Sequence, residues 1–85
     1  MTPLAENGSS PVRERCGQKM NIALEQLRGG ELENAIITLR NASQIDPSYF
    51  APWFNLGLAY KHSRNWPSAL DAFDAAWARL PPDAA

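Results

Sequence analysis

The sequence predicts an all-α fold of tandem antiparallel helix–turn–helix repeats, with four main helices in 85 residues. Three observations carry this expectation. Apolar residues recur at helical spacing in four segments, and none alternates as a strand would. Each segment ends on a glycine, proline or asparagine signal. The segments also repeat themselves at a fixed offset of 34 residues, as Ala35 to Ala69, Ala42 to Ala76 and Pro47 to Pro81 show.

Residues 1–11 hold Pro3, Gly8, Ser9, Ser10 and Pro11, with Leu4 the only large apolar side chain after Met1. Such a stretch buries too little surface to offset its ordering entropy, and is expected to be a disordered arm. From Val12 a helical period sets in, with Met20, Ile22, Ala23, Leu24 and Leu27 as its stripe, until Gly29-Gly30 stops it. A second helix starts at Glu31, whose acid complements the helix dipole, and carries Leu32, Ala35, Ile36, Leu39, Ala42 and Ile45. Asp46-Pro47 ends it, because the residue before a proline is pushed out of the helical region. The third helix is expected from near Ala51, with Pro52 in its first turn, to about Ser63. Asn65 is positioned to cap the fourth, which runs from Trp66 to about Leu80 before Pro81-Pro82 closes it. The chain therefore divides into the arm at 1–11, a first repeat at 12–49, a second at 50–83 and a tail at 84–85.

The second unit carries Trp53, Leu56, Gly57, Tyr60, Ala69, Phe73, Ala76 and Pro81. This pattern resembles the signature of the tetratricopeptide repeat (TPR), W-x₂-L-G-x₂-Y followed by A-x₃-F and P, with every position matched. The resemblance covers both units and implies a short TPR-like α-solenoid. Independently of it, Trp53, Leu56, Gly57 and Tyr60 form one stripe facing a partner helix. A mid-helix glycine costs about 1 kcal/mol relative to alanine, which suits a close backbone approach near Ala69 and Ala76. Trp53, Tyr60 and Phe73 are expected to fill the space around that contact.

The first unit departs from the pattern: Lys19 stands where the second has Trp53, and Gln26 where it has Tyr60. Both suit a side that faces water, so the solenoid is expected to begin at this unit, the alternative being ordinary degeneracy of the repeat. At the other end Leu70, Phe73 and Trp77 recur at i, i+3 and i+7 on the face a following helix would cover. Solenoids of this kind normally need at least ~3 repeats. The C-terminal face is therefore expected to be covered by another chain, a second copy or a larger partner. Arg79, at the place of Ile45, softens that face. The alternative is that Trp77 folds inward over its own hairpin.

In TPR proteins the first helix of each unit lines a concave groove for peptides. The resemblance places Met20, Leu24 and Leu27 in that groove from the first unit, with Phe54, Leu58 and Lys61 from the second and Arg28 and His62 flanking. Asn55 matches one position of the family's carboxylate-gripping members, but Met20 and Leu24 replace the lysine and asparagine such a grip needs. An apolar or amphipathic segment is the expected ligand, in the helix-in-groove mode. The competing expectation is that the arm or a symmetric copy buries these side chains.

The composition excludes much else. Eight basic and nine acidic residues leave a net charge of -1, without the basic excess of a nucleic-acid binder. One cysteine, Cys16, and one histidine, His62, supply neither an intramolecular disulfide nor a zinc or histidine metal set. Cys16 is read as an incidental thiol, and Asp71 and Asp74 as a solvated face. No cofactor and no catalysis are expected. No signal peptide or membrane-spanning run is seen, so a cytoplasmic location without membrane association is expected. The function expected is a non-catalytic protein–protein interaction module, an adaptor or scaffold with a protein or peptide partner. The alternatives are a small structural subunit of a homo-oligomer or larger assembly, and, more remotely, an RNA-binding helical repeat.

Overall fold

The computed structural model describes residues 11–81. They form four helices, α1 (Pro11–Arg28), α2 (Leu32–Ile45), α3 (Phe50–His62) and α4 (Trp66–Ala78), without a strand among the described residues. The arm expected at 1–11 lies outside the described residues except for Pro11, and so do residues 82–85. Pro11 belongs to α1 rather than to the arm. At a first helical position its missing N–H leaves no bond unmade.

The two hairpins turn by one mechanism. After α1 the Glu31 N–H donates to the Gln26 carbonyl at 2.8 Å and the Gly30 N–H to the Leu27 carbonyl at 3.1 Å. After α3, Asn65 and Arg64 donate to the carbonyls of Tyr60 and Lys61 at 2.9 and 3.0 Å. Both are Schellman turns, which need a left-handed residue just past the helix. Gly30 fills that place with φ +80°, and Arg64, 34 residues later, fills it with φ +64°. A left-handed conformation costs a residue with a Cβ roughly 1–2 kcal/mol. Arg64→Gly is therefore expected to raise stability by about 1 kcal/mol, read as a higher urea midpoint. A lower midpoint would contradict this account of the turn. Past the turn, the Asn65 side chain accepts from the Ser68 N–H at 3.4 Å and caps α4, as its sequence position predicted.

Each helix packs on the next, α1 on α2, α2 on α3 and α3 on α4. The core runs through the middle of this stack as Ala23, Ala35, Leu39, Leu56, Ala59 and Ala72, with Met20, Leu27, Ile36, Trp53 and Tyr60 packed around it. So many alanines bring the helices close, and Leu39 supplies the largest side chain among the fully buried positions. Cys16 is part of this interior, not an incidental thiol. It is 0% exposed, and its Sγ–H donates to the Ala42 carbonyl of α2 at 3.4 Å. Burial, and after it the Asp46 carboxylate, push the thiol above its ordinary value of 9.0, while Arg13 opposes them. A thiol held neutral and enclosed in this way is a poor nucleophile. Folding also favours its protonated form, so whatever stability this contributes is present below pH 9.0 and is lost as pH rises through the raised value.

An ion pair that the sequence did not announce joins the start of α1 to the end of α2. Arg13 donates from Nε to Asp46 at 2.6 Å and lies over the Tyr49 ring, 3.8 Å from its centroid. These residues stand 33 apart in the chain, beyond the reach of helical-spacing arguments. Ile22, expected in the apolar stripe of α1, is 48% exposed. Its counterpart Leu56 is 3% exposed because α2 lies over it, and no described helix lies over Ile22.

Candidate protein-binding site

Trp77 does not fold over its own hairpin. It is 75% exposed, and Leu70 on the same helix is 64% exposed. Phe73, the third residue of that expected face, turns inward and is half-buried. Its ring packs at a tilt on Phe54, with centroids 5.7 Å apart, and lies against Gly57. A Cβ on Gly57 would sit 2.5 Å from two carbons of the Phe73 ring. The glycine thus accommodates an aromatic ring, rather than the close backbone approach the sequence suggested. Ala69 and Ala76 are buried beside it, at 3% and 4% exposure.

This packing leaves an open depression of about 370 Å³ between α3 and α4, lined by Phe50, Phe54, Phe73, Ala76, Trp77 and Leu80. Every lining residue is apolar. Arg79, expected to soften this face, does not reach it. Its guanidinium lies 4.4 Å from the centroid of Trp53, and its side chain donates to the carbonyls of Pro47 and Ala75. The Pro47 carbonyl also accepts from the Trp53 indole at 3.1 Å, so Trp53 is held at the α2–α3 seam by two polar contacts.

The residues expected in one concave groove are distributed over three places. Met20 and Leu24 line a depression of about 360 Å³ with Arg13, Glu14, Gly17, Asn21 and Tyr49. Leu58, Lys61 and His62 line another of about 530 Å³ with Arg64 and Trp66, which is 54% exposed. Phe54 opens instead into the C-terminal depression. Leu27 packs against the core, Arg28 pairs with Glu25 at 2.7 Å in full solvent, and Asn55 is half-buried. Sequence reasoning missed Phe50 and Leu80. Their signal was there: Phe50 and Phe54 lie four apart, and Leu80 continues the Phe73–Trp77 row at i+7.

Among the described residues no group of three His, Cys, Asp or Glu is placed to hold a metal, and no helix is long and apolar enough to cross a membrane. Asp71 and Asp74 are both exposed.

The fold and this surface define an α-helical repeat module of two stacked hairpins. A family model described as TPR repeat matches residues 24–62, just under half of the chain. The matched stretch runs from within α1 to the end of α3, so it takes in the α2–α3 seam that joins the two hairpins. Over that stretch the chain is similar to the tetratricopeptide repeat, and the four stacked helices are consistent with such a helical repeat. No curated protein and no solved structure gave a significant match.

Proposed function

We propose that this chain is a non-catalytic protein–protein interaction module that docks an apolar or amphipathic helix on its C-terminal face. The observation that carries the reading is Trp77, 75% exposed at the mouth of a depression built wholly from apolar side chains. An aromatic residue held on a rigid helix beside an apolar pocket is the usual anchor of a protein interface. Water gains nothing from such a surface, and a helix laid across it buries both apolar faces at once. With a net charge of -1, apolar contact supplies the affinity and the few charges at the rim supply orientation.

The placement of Phe54 and Leu58 tests the C-terminal face against the concave groove. Capture of partners from a cell extract, followed by mass spectrometry, is compared for wild type, Phe54→Ala and Leu58→Ala. Phe54→Ala is expected to weaken partner binding about tenfold or more, as truncating a central aromatic does. Leu58→Ala is expected to leave it nearly unchanged. The reverse order would transfer the function to the groove. Equal retention by both variants, with Trp77→Glu retaining the same proteins, would overturn the proposal.

A further inference from the structure

The turn between α3 and α4 carries a second open surface, of different chemistry. Leu58, Lys61, His62, Arg64 and Trp66 line the depression of about 530 Å³ there. It lies at the opposite end of the α3–α4 hairpin from the apolar depression, which takes Phe50 from the start of α3 and Leu80 from just past α4. No aspartate or glutamate occurs between Asp46 and Asp71, so α3 and the first turn of α4 are free of acid. The depressions that hold Arg13 and Arg40 answer each with a carboxylate, Glu14 in one and Asp71 in the other. This one holds Lys61 and Arg64 without a carboxylate. Among the described residues, the side chains of Lys61, His62, Arg64 and Trp66 make no hydrogen bond, ion pair or ring contact with the rest of the chain. All four are exposed, Trp66 to 54%.

Lys61 and His62 have a structural reason for their places, because cations in the last turn of a helix complement its dipole. Arg64 lies beyond that turn, in the left-handed conformation that Gly30 adopts 34 residues earlier, with φ +64°. Glycine would take the position without strain, and at an exposed site the dipole's attraction for a cation is smaller than that strain. A strained residue that folding does not require points to a use of its side chain. We infer that this turn binds an acidic peptide segment of a protein partner, with Arg64 and Lys61 on Asp or Glu side chains and Trp66 on an apolar residue between them. The guanidinium forks onto a carboxylate through two parallel N–H donors, and the lysine supplies a point charge three residues away. The exposed indole adds a large apolar face beside the charges. Asn55, the one position shared with carboxylate-gripping TPR proteins, does not line this depression, and the recognition is of side-chain carboxylates along a segment, not of a chain end.

The test is fluorescence anisotropy on the full chain, with a labelled peptide of Asp and Glu residues around a central Leu, both its ends blocked. The wild type is expected to bind it, and to bind it more weakly as salt rises. The same peptide with Asn and Gln in place of the acids is expected to bind at least about tenfold more weakly. Arg64→Gly is expected to stabilise the fold and still weaken binding about tenfold, so the loss is not one of structure. Trp77→Glu, at the far end of the hairpin, is expected to bind the peptide as the wild type does. Undiminished binding by Arg64→Gly, or no binding by the wild type, overturns the inference. So does an equal loss in Trp77→Glu with its helicity intact by circular dichroism, which would put the peptide on the apolar face. Single-stranded RNA that binds more tightly than the peptide would also overturn it, and assign the cations to phosphates. The C-terminal docking face stands or falls on Phe54 and Trp77, and no outcome at Arg64 bears on it.

Discussion

Leu39→Ala is expected to lower the stability of the chain by about 2–5 kcal/mol, the range measured when a buried leucine is cut back to a methyl. Leu39 is 0% exposed, and its neighbours in the core are largely alanines. Alanines cannot repack into the space, because each is already as short as a side chain can be while its helix stays in place. The cavity term is thus expected near its upper end. A small domain has a total stability on the order of 5–10 kcal/mol, so one truncation removes a large share of it. Urea denaturation followed by circular dichroism reads the effect. A loss below about 1 kcal/mol would mean that the helices close over the gap, and that the alanine-rich stack is softer than its geometry indicates.

Gly57→Val is the second large effect, and it connects the core to the binding face. The added Cβ would meet the Phe73 ring at 2.5 Å, well inside contact distance. The ring packs on Phe54 and lines the open depression, which offers it space to move into. Overpacking of this kind costs about 1–3 kcal/mol, to which valine adds no relief beyond the ~1 kcal/mol by which a mid-helix glycine is disfavoured. A ring driven outward would also fill the depression. Loss of partner binding beyond the loss of stability is therefore expected, measured as binding by the folded fraction. Undiminished binding would show that the depression is not where the partner sits.

Much of this molecule was legible in its sequence because helices write a local code. The four apolar stripes, the Asn65 cap and the 34-residue offset all follow from neighbours a few residues apart or from self-comparison. Gly57 was legible as a place of close approach, but not what approaches. The Phe73 ring comes from α4, and periodicity says nothing of how a side chain turns across a seam. Arg64 was hidden for a different reason. Its left-handed backbone is imposed by the turn against the residue's own preference, and only the comparison with Gly30 one repeat earlier points to it. The Arg13–Asp46 pair and the bond from Cys16 to Ala42 span 33 and 26 residues, distances at which charge or polarity alone selects no partner. Arg79 was misplaced by trusting the repeat at a position where it fails. Ile45 and Arg79 align, yet the guanidinium finds Trp53 and Pro47, which have no equivalents beside Ile45.

For the candidate site, exposure at Leu70 and Trp77 followed from counting helical turns. Of the residues expected in one concave groove, Phe54 turns toward Phe73, and Met20 and Leu58 line separate depressions.

The central claim is that the C-terminal face of α4 is covered by another chain. Site-specific photocrosslinking in cells tests it most directly, with a benzophenone side chain at position 70 and, as control, at position 37. Leu70 lies on the face and is 64% exposed; Ile37 lies on α2 and is 57% exposed, so the two differ in location and hardly in access. The account predicts adducts to another polypeptide from position 70 and none above background from position 37. Equal yields from the two positions, or no adduct from position 70, would contradict the claim.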